Sequence, residues 1–225
     1  MARKCTLASS ALALCILISL VDDSPEAQSG GVRMDFSPIY IKDQDITKVF
    51  SSAAYWWLFG FYIPRGNITE NNRECVHFQR KEQNRTHIEL IAIGGRGSQQ
   101  TQIPIYGQFY KCNDTYGMEN GRRKHPNCVR LTAKDDMFGA NFRLLYLEYG
   151  KSSLFRVMDV GEGTGCVVLL SNATVGKGPS PVCKIAYNRF CGNERLLQKV
   201  YKDDCKKQGA QEHPKENTKE DTQTS

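Results

Sequence analysis

Four cysteines, Cys166, Cys183, Cys191 and Cys205, lie close together near the C-terminus of this chain. Short segments typical of β-strands, spaced at regular intervals, precede them. Cysteines at this density are usually paired in secreted proteins, because the compartment is oxidising. The pattern predicts a C-terminal helix that disulfides attach to a β-structure. It favours a robust secreted domain that binds a ligand, rather than an enzyme that converts a substrate.

Residues 1–29 have the features of a secretory signal peptide. Arg3 and Lys4 supply a positive end, residues 7–21 are apolar, and small side chains follow at a cleavage site. The apolar stretch is too short and too close to the N-terminus for a membrane anchor. We therefore expect a secreted, extracellular protein with no membrane association.

We predict one folded domain over residues 30–205 and a disordered polar tail over residues 206–225, because the tail is charged and lacks apolar periodicity. Removal of the signal takes away Cys5 and Cys15 and leaves seven of the nine cysteines. Since seven is odd, one cysteine stays free or pairs with another molecule. No two cysteines have Cys-x-x-Cys spacing, so we expect no bound metal.

Four potential N-glycosylation sites also favour secretion, because all of them fall between strand-like segments, where a glycan is tolerated. Their asparagines are Asn67, Asn84, Asn113 and Asn172.

The formal net charge is +6, and the only tight basic cluster is Arg122-Arg123-Lys124. We interpret this cluster as a solvated loop rather than a nucleic-acid or heparin site. We expect a monomer with no cofactor and no nucleic-acid partner.

Eight strand-like segments follow a short predicted helix over residues 46–52, which Asp45 can cap. The predicted strands cover residues 55–63, 74–81, 86–93, 103–111, 128–133, 142–149, 154–160 and 165–171. A second helix is predicted over residues 182–190 and ends at Gly192. Because mostly short links join the strands, we predict an all-β fold, an eight-stranded antiparallel up-and-down barrel without exposed sheet edges. A flat sandwich is the alternative.

No combination of residues in the sequence indicates catalysis. The four histidines share no metal-binding spacing, and no Gly-x-Ser-x-Gly motif occurs. The glycine-rich residues 161–165 precede no helix, so we interpret them as a hairpin turn. We therefore predict that the protein is not an enzyme.

The order of these features resembles that of the tick salivary lipocalins, whose members include histamine-binding and leukotriene-binding proteins. The resemblance rests on the helix after Asp45 that leads into Tyr55-Trp56-Trp57-Leu58, on Cys75 in the second strand and on Cys166 opening the eighth. It is strongest in the cysteine-rich segment from position 183 to position 205. The resemblance implies a lipocalin barrel.

The same resemblance implies which cysteines are paired. Cys75 would join Cys205, and Cys166 would join a cysteine of the C-terminal helix, either Cys191 or Cys183. A third bond would join Cys112 to Cys128 and close the loop between them. Our candidate disulfide cysteines are Cys75, Cys205, Cys166, Cys191, Cys112 and Cys128.

Amine-binding members of the family carry an Asp after a strand cysteine and a later Glu-Leu-Trp or Glu-Leu-Tyr. Here Val167-Val168-Leu169 follow Cys166, and neither tripeptide occurs. The comparison therefore favours a lipid, such as a leukotriene, a thromboxane or a fatty acid, over histamine or serotonin.

The implied disulfides orient two strands, because a strand cysteine joined to the C-terminal segment points outwards and side chains alternate along a strand. Phe78 and Arg80 of the second strand would face inwards, as would Leu169 of the eighth. An inward Arg80 needs a partner, which a ligand carboxylate can supply. Alternatively, Arg80 lies at the strand end and reaches solvent or pairs with an internal acid.

The sixth and seventh strands have no such marker, and either face of each can point inwards. Of the adjacent Trp56 and Trp57, one should enter the interior and the other should pack under the C-terminal helix. Our candidate ligand contacts are Trp57, Phe78, Arg80, Tyr146, Arg156 and Leu169.

We therefore predict a secreted salivary protein that sequesters a small hydrophobic host mediator, favouring an eicosanoid or fatty acid, and so suppresses inflammation or haemostasis. One alternative is a scavenger of a biogenic amine. Another is an inhibitor of a host protein, such as a complement component, that acts through the loops at residues 94–102 and 113–126.

Overall fold

The computed structural model describes residues 44–63, 74–96, 100–112, 124–133, 139–160, 163–193 and 196–206. The predicted signal peptide, the potential glycosylation sites Asn67 and Asn113, and nearly all of the predicted tail lie outside these residues. No helix in the described ranges is long and apolar enough to cross a membrane.

Eight strands form an antiparallel barrel, as the sequence predicts. They are β1 (Tyr55–Tyr62), β2 (His77–Gln83), β3 (His87–Gly94), β4 (Thr101–Tyr110), β5 (Cys128–Ala133), β6 (Gly139–Glu148), β7 (Ser152–Val157) and β8 (Gly165–Ser171). Each strand pairs with the next along the chain, and β1 pairs with both β8 and β2. The sheet is therefore closed, which confirms the barrel and excludes the flat sandwich.

A short additional strand, β9 (Gln198–Lys199), was not predicted. It pairs with Gly60 and Phe61 of β1. Gly60 permits this approach, because a Cβ atom there would lie 2.7 Å from the carbonyl oxygen of Gln198. The C-terminal segment thus lies directly against the first strand.

Helix α1 (Ile46–Ser52) packs its apolar side into the barrel. Asp45 caps it, since Asp45 Oδ1 accepts a 3.2 Å hydrogen bond from the Thr47 amide. Phe50 stacks on Phe109 of β4, with ring centroids 6.5 Å apart. The Gln83 side chain at the end of β2 donates to the Thr47 carbonyl, so this helix is fixed to one end of the barrel.

Helix α2 (Pro181–Cys191) lies on the outer face of the barrel. The Ser180 hydroxyl accepts a 3.1 Å hydrogen bond from the Cys183 amide, and Pro181 occupies the first turn, where its missing N–H costs nothing. Tyr187 and Phe190 are buried in a second apolar core, between α2 and the strands beneath it. The barrel therefore buries both faces of several strands.

Three disulfides attach the C-terminal segment and one loop, and they agree with the family resemblance, which had left Cys191 and Cys183 as alternative partners of Cys166. They are Cys75–Cys205, Cys112–Cys128 and Cys166–Cys191. Cys183 is free and buried in α2. Two of the three bonds thus hold the segment after β8 against β8 and against the residues that lead into β2.

Candidate functional site

The barrel encloses an apolar cavity that is in contact with α1. It is lined by Phe50, Leu58, Phe78, Leu90, Val129, Leu131, Phe142, Phe155, Val167 and Leu169. These residues come from α1 and from every barrel strand except β4. All ten side chains are hydrocarbon, so the cavity offers a ligand dispersion and hydrophobic contact but no hydrogen bond.

The free space in this cavity is small, about 30 Å³. That is on the scale of about one or two water molecules. Strand β4 contributes to the close packing through Gly107, where an added Cβ would lie 2.5 Å from Ile88 and 2.9 Å from Leu131. Aromatic side chains, including Phe142 and Phe155, occupy part of the interior. A ligand larger than a few atoms must displace some of them.

Phe78 and Leu169 both line the cavity, as the sequence predicts. Cys166 in β8 and Cys75, two residues before β2, lie in the outer core, and the inward-facing residues alternate with them along the chain. Because the side-chain period of a strand is two, a cysteine bonded outside the barrel fixes which neighbours face inwards. The inference from the cysteines therefore gave the right orientation for these strands.

Arg80 does not line the cavity. It pairs in register with Leu90, a cavity residue, but it is half-buried near the α1 end of β2, where its amide bonds to the Ala54 carbonyl. A register shift follows it, between Arg80 and Glu82. Arg80 thus lies on the inner side of β2, two residues beyond Phe78 and at the end of the barrel.

The placement of Trp57 in the interior is wrong. Its indole Nε1 donates a 3.1 Å hydrogen bond to Asn172 Oδ1, and its ring packs against His77 and Tyr201 outside the barrel. Trp56 is the inward member of the pair and is 1% exposed. The sequence correctly predicts one tryptophan on each side but does not say which.

Tyr146 also faces outwards, against the prediction. A register shift between Leu144 and Tyr146 interrupts the alternation of β6. Leu144 belongs to the interior, whereas both Leu145 and Tyr146 belong to the core under α2. Such a bulge moves every later side chain of the strand to the other face, and the sequence carries no clear sign of it.

Arg156 is the third predicted contact that lies outside the barrel. It is 4% exposed beneath α2, where its guanidinium donates to the carbonyl oxygens of Thr164 at 3.1 Å and Phe190 at 2.7 Å. Its charge is compensated by backbone carbonyls, so it is a structural group in the outer core. The inward residues of β7 are Phe155 and Val157.

Glu148 at the end of β6 and Asp159 after β7 are acidic residues that could pair with a cationic amine, but both have other partners. Glu148 accepts hydrogen bonds from Lys151, Ser152 and Ser180. Although partial burial opposes it, these bonds lower the pKa of Glu148 below its ordinary value. Asp159 bonds to the Asn141 side chain at 3.1 Å. Neither carboxylate lines the cavity.

Most cavity residues were not among the predicted contacts. In β3 and β5 a simple alternation could have found Leu90, Val129 and Leu131, because apolar and polar residues alternate there. The same alternation marks Phe142, which lies between the polar Asn141 and Arg143. No comparable signal marks Phe155, because Leu154 and Arg156 on either side of it are also buried.

A closed eight-stranded barrel with an apolar interior and a helix attached by disulfides defines a lipocalin-type binding protein. Residues 36–207 match the family described as tick histamine binding protein. Because this match covers more than half of the chain, the protein belongs to that family, and the resemblance to tick salivary lipocalins is confirmed. Proteins of this family are secreted.

Three solved structures are similar to the chain at low identity. Japanin from Rhipicephalus appendiculatus, solved with bound cholesterol, is 15% identical over 66% of this chain and 92% of its own, with a TM-score of 0.45. A biogenic amine-binding protein is 10% identical over 84% and 98%, with a TM-score of 0.48. Apocrustacyanin C2 is 14% identical over 68% and 78%, with a TM-score of 0.41. No curated protein matches the chain significantly.

Proposed function

We propose that the protein is a secreted salivary carrier that sequesters a small, predominantly apolar host mediator in the barrel interior. The observation that carries this proposal is the cavity wall, in which all ten side chains are hydrocarbon. Binding would be stoichiometric, without turnover. Removal of the mediator would suppress the inflammatory or haemostatic response of the host.

The chemistry of the wall favours an acyl lipid, such as an eicosanoid or a fatty acid. Burial of roughly 400 Å² of apolar ligand surface would contribute about 10 kcal/mol, from which the cost of association must be subtracted. A cationic amine would instead need a carboxylate in the interior to offset its desolvation. Glu148 and Asp159, which could have supplied one, are bonded outside it.

Arg80 remains our proposed partner for a ligand carboxylate. It lies two residues beyond Phe78 on the same side of β2. In the described part of the chain, its guanidinium forms no ion pair. A lipid whose chain occupies the cavity could place its head group at that end of the barrel, where a bidentate hydrogen bond to Arg80 would hold it.

The small free volume favours a second candidate function. If the interior remains filled, the protein would act on a host protein through its surface, and no small ligand would bind. Matched variants separate these functions. Val129→Phe fills the cavity further, and Leu131→Ala enlarges it. Val182→Phe is the control, because it makes the same valine-to-phenylalanine substitution on the exposed side of α2.

The test is native mass spectrometry with a pool of arachidonate, a leukotriene, cholesterol, histamine and serotonin. We expect a lipid adduct, and Val129→Phe should lower its stoichiometry by one lipid, whereas Leu131→Ala should preserve or strengthen it and Val182→Phe should leave it unchanged. An amine adduct would contradict the lipid assignment. The lack of any adduct, with biological activity retained, would support the surface function instead.

A further inference from the structure

A second and larger cavity lies outside the barrel, between α2 and the strands β1 and β9. We call it the outer cleft. Its apolar floor is formed by Phe59 of β1, Val168 of β8 and Leu197, which precedes β9. Its volume is about 440 Å³, compared with about 30 Å³ in the barrel interior. Pockets that hold small molecules typically measure about 300–1,000 Å³, so the outer cleft already has the size of a binding site.

Three lysines from separate segments surround this floor. Lys177 precedes α2, Lys184 lies on α2, and Lys199 lies on β9. Within the described ranges, none of their ammonium groups forms an ion pair. Lys199 Nζ lies 5.5 Å from the centroid of the Phe59 ring, directly over the floor. Three cations beside an apolar surface favour a ligand that combines negative charge with a hydrocarbon body.

Tyr187 provides a second polar feature of the outer cleft. Its side chain lines the cleft and is 3% exposed, and its hydroxyl has no hydrogen-bond partner among the described residues. A buried hydroxyl without a partner is unfavourable, so a group that accepts its hydrogen bond would be stabilising. Burial raises the pKa of Tyr187, as does the nearby Tyr62, so the hydroxyl stays protonated and can donate.

We propose that the outer cleft binds a single-chain amphiphile with an anionic head group, at a site separate from the barrel interior. The chain would cover Phe59, Val168 and Leu197, and the lysines would surround the head group. A carboxylate and a phosphate share the chemistry that this arrangement recognises. The two sites would then differ in selectivity, because the interior wall carries no charge whereas the outer cleft is cationic.

The test follows amide and methyl NMR signals of the full protein during titration with dodecanoate below its micelle concentration. We expect saturable shifts at Lys184, Tyr187 and Lys199. Dodecyl phosphate distinguishes a phosphate head group from a carboxylate, and either result supports the site. Dodecyltrimethylammonium has the same chain with the opposite charge, and it should bind at least tenfold more weakly to the outer cleft.

Charge-reversal variants test the role of the lysines. Lys184→Glu combined with Lys199→Glu should weaken dodecanoate binding at the outer cleft at least tenfold. The matched control reverses Lys81 and Lys111, two exposed lysines away from the cleft, and should change the affinity less than about twofold at moderate salt. Tyr187→Phe keeps the ring but removes the hydroxyl, and we expect about tenfold weaker binding.

The interior-filling change Val129→Phe separates this inference from the function proposed above. It should leave binding at the outer cleft intact whether or not the interior takes a ligand. Equal binding of the anionic and cationic amphiphiles, or equal loss in the cleft and control charge-reversal variants, would overturn the inference. Shifts confined to interior methyl groups would also overturn it.

Discussion

Arg156 Nη2 donates a 2.7 Å hydrogen bond to the carbonyl oxygen of Phe190, in the last turn of α2. The next residue of the helix, Cys191, forms the disulfide with Cys166, and Arg156 Nη1 also lies 3.2 Å from the sulfur of Cys166. A cation at the C-terminus of a helix complements both the unpaired carbonyls and the helix dipole. One buried guanidinium thus reinforces the covalent attachment of α2 to the barrel.

Arg156→Ala should lower the free energy of unfolding by about 2–4 kcal/mol, because it leaves the Phe190 carbonyl buried without its donor and opens a space under α2. Urea unfolding measures the loss. Arg130→Ala, at an exposed site on β5, is the control and should change stability by less than about 0.5 kcal/mol. Equal effects of the two changes would refute the role assigned to Arg156.

Removal of different disulfides should lower the free energy of unfolding by different amounts. Cys75–Cys205 spans 130 residues and Cys112–Cys128 spans 16. Because the entropy of loop closure grows with loop length, replacing the first pair by alanine should cost about 4–5 kcal/mol and the second about 3 kcal/mol. Calorimetry under oxidising conditions tests the order. A larger loss from the short loop would contradict this explanation.

Gly60→Ala should destabilise the contact between β1 and β9. The added Cβ would lie 2.7 Å from the Gln198 carbonyl oxygen and 3.1 Å from Leu197 Cγ, so the C-terminal segment must shift. We expect a loss of about 1–3 kcal/mol and faster hydrogen exchange in β9. Gly176→Ala is the matched control, because a Cβ there meets no atom within 4 Å. An unchanged rate of hydrogen exchange in β9 of Gly60→Ala would contradict the close contact between Gly60 and β9.

Glu148 should make stability depend on pH in acid. Because its folded-state pKa is lowered, its ionised form favours the folded protein above the ordinary glutamate pKa of about 4.3, and this stabilisation disappears as the pH falls through the folded-state value. Glu148→Gln should therefore destabilise the protein more at about pH 6 than at about pH 3. Urea midpoints at the two pH values measure the difference.

Glu89→Gln, at an exposed position on β3, is the control for this experiment. Its effect should stay within about 0.5 kcal/mol at both pH values. If the penalty of Glu148→Gln grew as the pH fell, the hydrogen bonds to Ser180 and Lys151 could not be what holds the carboxylate ionised.

The barrel, both helices and the order of the strands could be predicted because periodicity, turn residues and cysteine spacing all indicated the same fold. The cysteines were especially informative in β2 and β8. The disulfides that the family resemblance implies must lie outside the barrel, and this indicated the inward orientation of Phe78 and Leu169.

The outward positions of Trp57, Tyr146 and Arg156 could not be predicted for a common reason. α2 and the segment that follows it cover the outer faces of β1, β6, β7 and β8, so both faces of these strands are buried and burial alone gives a side chain no orientation. In β6 the register shift before Tyr146 adds a change of face. The outer cleft was also missed, because its residues come from segments that are distant in sequence.

Intermolecular nuclear Overhauser effects can establish whether the barrel interior receives an apolar ligand. The protein would carry labelled methyl groups and be saturated with arachidonate. We predict contacts from the acyl chain to methyl groups of Leu90, Val129 and Leu131, which line the cavity. Contacts confined to Leu154 and Leu170, which lie in the outer core, or the lack of any contact in the interior, would show that the ligand does not enter the barrel.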